Sequence, residues 1–314
     1  MFTRALTRPR LAAVAVTSAL ALGACSAQGG DTQTTTEAST RTDIVATTIV
    51  WADVASSVVG EDVTAIISNS SVDPHEYEPT AADRAAIESA EIVVANGGAY
   101  DAALYSAADP SHVVSALPLT GPHSHADDEA EHADEHGDEH GDEHADEHAD
   151  EHDHDHDAPE HSWYSTETVN RVGQLIAERT SGDTADLDAR LAPIEEAVNN
   201  LPAVRVAQAH PIADALIEES ALISATPDAY RAASLSHIEP SGAAVAEFID
   251  AIKDGSVDIL IASPQSAPGS EQRIVDAARA AGIPVVEVYE TPPNGQNFFD
   301  YFASIVEEIS RAAR

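Results

Sequence analysis

Cysteine is almost missing from this chain. Cys25 is the single one in 314 residues, so no intrachain disulfide can form. Basic side chains are scarce as well. Fifteen lysines and arginines face 55 aspartates and glutamates, a formal charge of −40, which excludes nucleic acid as a partner because phosphate backbones need a basic surface. The apolar stretch LAAVAVTSALALGA, residues 11–24, falls short of the roughly 20 residues of a membrane span. Catalytic signatures are missing too. No nucleophile and base stand at a recognisable spacing, and SAPGS and ANGG lack the framing of a hydrolase elbow or a phosphate loop. HEYEP has no second histidine four residues after the first, as a zincin would. Asp73, Glu78 and Asp83 could be arranged as acid and base, but loop carboxylates are common in so acidic a chain. The reading is a protein that is not an enzyme.

What is present begins with an export signal. Arg4, Arg8 and Arg10 precede the apolar stretch, which closes in LGAC, and small residues around a lone cysteine there resemble a lipoprotein cleavage box. Residues 1–24 are therefore expected to be a lipoprotein signal peptide, Cys25 the lipidated residue, and 25–41, small and polar, a flexible tether. The second feature is EHADEHGDEHGDEHADEHADEHDHDHD, residues 131–157. His132, His136, His140, His144, His148 and His152 recur at every fourth position, and His154 and His156 continue at every second. On a helix the first six would share a face. Neutral imidazole is a common ligand for divalent metal, but a stretch of this composition cannot bury a core. Residues 123–160 thus read as a disordered loop, an auxiliary collector holding several divalent metal ions weakly beside a site built elsewhere.

The remainder alternates. Residues 44–50 are an apolar strand candidate, followed by helical spacing through Val54, Val58 and Val59. DVTAIISN, EIVVANGG and SHVVSAL are further strands, with PTAADRAAIESAE a helix carrying Pro79 in its first turn. After the acidic loop come helices at 167–180 and 185–198, the latter kinked or divided by Pro193. From residue 204 strands and helices alternate again, through VDILIASPQ and IPVVEVYE to a closing helix at FFDYFASIVEEISRAA. Such alternation argues parallel sheets covered on both faces. The expected fold is α/β, with two lobes, each a mainly parallel sheet flanked by helices. Residues 42–122 form the first lobe, 161–200 its end and a linking helical region, and 201–314 the second lobe.

In parallel α/β sheets, binding groups gather outside the carboxyl ends of strands. Four histidines outside the acidic repeat stand in such places or beside helix starts: His75 in DPHEY, His161 in HSWYS, His210 in AQAHP and His237 in SHIEP. His75 and His210 sit in stiff, proline-bearing turns. His237 looks more like part of a loop entering a helix. In VVEVYETPP, Glu290 shares a strand face with Val286 and Val288, while Glu287 points the other way. Glu290, at the strand's end, is the favoured carboxylate. Three imidazoles and one carboxylate make a reasonable tetrahedral zinc set.

LGAC, DPHEYEP, VVANGGAYD, the histidine-rich insertion followed by HSWYS, AQAHPIADAL and ETPPNG occur in an order that resembles the metal receptors of bacterial zinc and manganese ABC importers, zinc-type members in particular. The family's leucine and aspartate-proline pair after the border histidine is here SWYSTE. The resemblance implies two α/β lobes joined by a linking helix, with metal in the cleft between them. It implies His75, His161, His210 and Glu290 as ligands, Zn²⁺ as the transported cargo, and a membrane ABC permease as partner. It further implies a monomer lipid-anchored on the extracytoplasmic face of the cell membrane. Manganese-preferring members tend to carry a carboxylate where this chain has His210, so the imidazole leans to zinc. A manganese or iron receptor, a zinc-dependent surface hydrolase, and a storage or adhesion lipoprotein are the competing readings.

Overall fold

The computed structural model describes residues 42–120, 159–265 and 269–314. The expected signal peptide, Cys25, the tether and the repeat histidines from His132 to His156 lie outside the described residues. Among those described, the chain runs β1 (Ile44–Thr48), α1 (Ile49–Val59), β2 (Thr64–Ile67), α2 (Ala81–Ser89), β3 (Ile92–Ala95), α3 (Ala102–Tyr105) and β4 (Val113–Ser115). Next come α4 (Thr166–Arg179), α5 (Ala185–Asn199), β5 (Arg205–Gln208), α6 (Asp214–Glu218), β6 (Ile223–Ser224), α7 (Asp228–Leu235) and α8 (Gly242–Lys253). β7 (Ile259–Ala262), α9 (Ser270–Ala281), β8 (Val285–Glu287) and α10 (Phe298–Ala312) complete it. The strands form two four-stranded parallel sheets, ordered β2-β1-β3-β4 and β6-β5-β7-β8. The two sheets thus repeat one topology, as the alternation predicts for a two-lobed α/β fold.

The strand period of two sorts side chains into three apolar layers. Ala46, Ile92 and Val94 from the first sheet enter one continuous core together with Val206, Ile259, Ile261, Val286 and Val288 from the second. That shared core is filled by the buried stripes of α1, α4, α5 and α10, whose apolar residues recur at helical spacing: Leu187, Leu191, Ile194 and Val198 on α5, and Phe298, Phe302, Ile305 and Ile309 on α10. The alternate residues point outward into separate layers. Val45, Val93 and Ala95 meet Ile87 of α2, and Ala207, Leu260 and Ala262 meet α8 and α9. The halves are also tied at helix ends. The Glu219 carboxylate accepts the N–H groups of Thr166 and Glu167 at the start of α4, and Asp53 accepts that of Phe298 at the start of α10.

Three expectations are corrected. The first strand stops at Thr48 rather than residue 50, because Thr48 already serves as the N-cap of α1, and a strand buried on both faces carries no alternation to mark its end. Pro79 precedes the cap of α2 rather than occupying its first turn; Thr80 and Asp83 form the capping box. Pro193 does not divide α5, which runs unbroken for 15 residues. Pro193 and Ala189 both lie on the exposed face, so the carbonyl left without an N–H partner faces water.

Candidate metal centre

His75 follows β2. The Asp73 carboxylate accepts the His75 N–H at 2.9 Å and Pro74 fixes the backbone, so the imidazole leaves a short 3₁₀ turn in one direction. The Tyr100 ring packs edge-on against it, with centroids 4.9 Å apart. His161 is held by the segment after β3. Asn96 donates to the Glu160 carbonyl at 2.8 Å and accepts from the Ser162 hydroxyl at 2.6 Å. Asn96 is itself fixed through its N–H, which the buried Asp101 carboxylate accepts along with the Gly97 N–H and the Thr47 hydroxyl. Gly97 has φ of 83°, and a Cβ there would stand 2.3 Å from the Leu117 carbonyl oxygen, so only glycine fits.

His210 follows β5. Tyr230 donates its hydroxyl to the Ala209 carbonyl at 2.9 Å. Gln208 accepts the Ala213 N–H at 2.7 Å and donates to Asp214, which Arg231 grips in turn. Glu290 completes the alternation that buries Val286 and Val288. One glutamine fixes its backbone: the Gln265 side-chain oxygen accepts the N–H groups of Glu290 and Thr291, while its amide donates to the Val72 carbonyl near His75. Tyr100 donates to Glu290 Oε2 at 3.2 Å.

These four side chains, drawn from loops at the strand ends and from the segment before α4, meet. His161 Nε2 lies 3.3 Å from His75 Nε2 and 3.3 Å from His210 Nε2. Glu290 Oε1 lies 3.5, 3.7 and 3.8 Å from the Nε2 atoms of His75, His161 and His210. One ligand atom from each lies within 4.8 Å of all the others. In a regular tetrahedron the edge is about 1.6 times the bond length, so bonds of about 2.0–2.2 Å call for edges of about 3.3–3.6 Å. Five of the six edges match that figure within a few tenths of an ångström, and the sixth, between His75 and His210, lies within 4.8 Å. The other nitrogen of His161 faces the Pro211 carbonyl at 3.2 Å, which favours a proton there and a free lone pair on Nε2.

The electrostatics suit a cation. Burial alone would push the His75 imidazolium down, but hydrogen bonding and attraction from Glu290, with Glu160 and Asp73 behind it, raise it to about 9. Burial and the neighbouring His161 lower His210 to about 3, leaving it neutral. Burial works against the Glu290 charge, yet the His161 and His75 imidazoles beside it hold its carboxyl well below the usual range. Burial and the Glu290 charge raise Tyr100 well above an ordinary tyrosine, so it remains a donor.

The remaining candidates fall elsewhere. Glu287 is exposed and pairs with Arg279 at 3.2 Å. Asp83 is engaged in the cap of α2 and accepts from Tyr77, Asp73 caps the His75 turn, and Glu78 is exposed. His237 lies beside the four, against Glu160 at 3.5 Å. Asn96, Tyr100, Asp101, Gln208, Tyr230 and Gln265 received no role from the sequence. For all but Tyr230, which lies inside α7, the signal was the polar cluster at each strand end, ANGGAYD, QAH and SPQ, where a buried polar group needs a partner.

Two parallel sheets with a histidine-glutamate cage in the crevice at their strand ends define a metal-binding receptor of α/β type. The chain belongs to the family described as zinc-uptake complex component A, periplasmic, which matches residues 44–312. That family consists of extracytoplasmic zinc-type receptors of ABC importers, receptors rather than enzymes. Solved structures share the fold. A crystal structure of ZnuA is 17% identical with a TM-score of 0.56, covering 87% of this chain and 99% of that one. The periplasmic zinc binding protein TroA from Treponema pallidum is 18% identical, TM-score 0.57, with coverage of 87% and 99%. FpvC from P. aeruginosa, in complex with Ni²⁺, is 18% identical, TM-score 0.55, with coverage of 87% and 97%. A search of curated proteins finds no match. Among the described residues no helix is long and apolar enough to cross a membrane.

Proposed function

We propose that the protein captures Zn²⁺ with His75, His161, His210 and Glu290 and delivers it to a membrane ABC permease. The observation that carries this reading is the convergence of three imidazole nitrogens and one carboxylate oxygen, with five of their six separations at tetrahedral zinc length. Nitrogen donors favour zinc over manganese, which prefers carboxylate, carbonyl and water. Four protein ligands also close the coordination shell, whereas a hydrolytic zinc keeps one position open for water. That supports a carrier over a hydrolase.

The ligands divide between the halves: His75 comes from the first sheet, His210 and Glu290 from the second, and His161 from the segment that joins α4. Release then requires small relative shifts, because the apolar core is shared and Gln265 straddles both sides. Attachment through a lipidated Cys25 would keep a monomeric receptor at the extracytoplasmic face of the cell membrane, beside its permease. Residues 123–160 would serve as the auxiliary collector.

Equilibrium competition under metal buffering tests the cargo. Zinc is expected to displace manganese fully at equal free concentrations; preference for manganese would overturn the assignment. Deleting residues 124–157 and titrating zinc by calorimetry tests the collector. The tight event should survive, and its loss in a folded protein would place the main site in the repeat.

A further inference from the structure

Outside the cage the crevice opens into a cleft of about 660 Å³. On its wall stands a second set of ligand types. His237 Nε2 lies 3.5 Å from Glu160 Oε2, and the other Glu160 oxygen lies 4.0 Å from His75 Nδ1. One ligand atom from each of these three lies within 4.8 Å of the other two. His75 therefore has two working sides, Nε2 in the cage and Nδ1 toward Glu160. The two sets differ in exposure: the His237 side chain is 52% exposed and Glu160 22%, against 1% for His161 and 0% for Glu290.

His237 also occupies an unusual backbone position. It follows α7 at φ of 53°, and the next N–H, that of Ile238, turns back to the Ala233 carbonyl. Glycine is the default residue at such a helix end, and a side chain there costs about 1 kcal/mol. An imidazole held in that position and directed at a carboxylate is a feature that helix termination alone does not require.

We propose that Glu160, His237 and the Nδ1 side of His75 form an outer station on which incoming Zn²⁺ lands before it passes around the His75 ring into the cage. The inference rests on the cage being the zinc site. Two imidazoles and a carboxylate leave room for water on the ion, as in open zinc sites. The ion can then exchange its waters for protein ligands stepwise instead of shedding them all at a buried site. When His75 binds through Nδ1 its proton sits on Nε2; on transfer, Nε2 gives that proton to water and Nδ1 regains one. The cleft wall carries Asp73, Glu76 and Glu239, whose charge concentrates cations at this mouth.

The test is stopped-flow binding of Zn²⁺, below one equivalent, to the full-length chain. Fluorescence of Trp163 reports arrival, since its ring packs 5.2 Å from that of His161. In His237→Gly, which suits the positive φ, and in Glu160→Gln, association and chelator-driven dissociation should both slow by the same factor, about tenfold. His237 is neutral when it binds metal, so slowing in His237→Gly separates a landing site from general attraction by charge. Wild-type rates in His237→Gly would overturn the station, as would a weakened affinity with an unchanged association rate. If the unsubstituted chain bound no zinc, or His161→Ala bound it as tightly, the cage reading would fail instead.

Discussion

Two groups of histidine and glutamate meet around His75, and they are held very differently. In the inner group three of the four proposed ligands are braced directly: Pro211 faces His161, Tyr100 donates to Glu290, and Asp73 fixes the His75 turn, while His210 is set through the Tyr230 bond to the Ala209 carbonyl. In the outer group His237 and Glu160 face the cleft, with half of the His237 side chain open to water. The same residue types thus build a site of fixed geometry in one place and an adaptable one in the other. What separates them is the supporting hydrogen bonds and burial. The sharpest way to break the contrast is His161→Ala. With ~10–16 kcal/mol of zinc binding shared among four ligands, its loss should weaken affinity by about two to three orders of magnitude. Competition against a fluorescent chelator measures this. An equal loss from His237→Ala would erase the distinction between inner and outer groups.

Gln265 asks whether bracing, rather than ligand identity, carries the difference. It touches no proposed ligand atom, yet it holds the Glu290 backbone from the second half and the Val72 carbonyl from the first. Gln265→Ala should weaken zinc binding by about 10- to 100-fold, the usual effect of removing a partner behind a ligand. If the melting temperature of the metal-free protein fell sharply while affinity held, Gln265 would be a fold residue only.

How far the sequence revealed this site depends on the kind of signal. Strand alternation marked Glu290 over Glu287, because Val286 and Val288 share its face and the period of two is local. His75 and His210 were visible through the prolines beside them. The three-layer core was only partly legible. Each buried strand read as an apolar stretch, but nothing local says that Ala46 and Val206 enter the same layer. The braces were harder still. Asn96 reaches Glu160 across 64 residues and Tyr100 reaches Glu290 across 190, distances over which a single sequence carries no pattern. Pro193 misled for a related reason: its effect depends on which face of α5 it occupies.

The pH dependence of binding sharpens the comparison further. In the metal-free protein the His75 pKa is about 9, raised against burial by Glu290, so below that pH zinc must displace a proton. His210, near 3, is already neutral and adds no such competition above about pH 4. Affinity should therefore fall about tenfold per pH unit as pH drops from 8 to 7, with close to one proton released per ion. Above pH 9 this dependence should level off. Calorimetry in two buffers of different ionisation enthalpy counts the proton. A release near zero at pH 7.5 would show that His75 is neutral before the metal arrives.

The smallest effect expected is that of Tyr100→Phe, and it separates two roles of one ring. The hydroxyl donates to Glu290 Oε2, while the ring stands perpendicular to that of His75 and lies 4.9 Å from Trp163. Phenylalanine keeps the packing and deletes the bond. A hydrogen bond to a charged group contributes about 1.5–3 kcal/mol to the state that holds it. Here the carboxylate is charged both with and without metal, so most of that contribution cancels in the affinity, leaving about a fivefold weakening or less. Tyr100→Ala removes the packing too, frees the His75 ring, and should weaken zinc binding several times more. Equal losses in the two variants would assign the whole effect to the hydroxyl, and the aromatic wall would then have no part in setting the imidazole's direction.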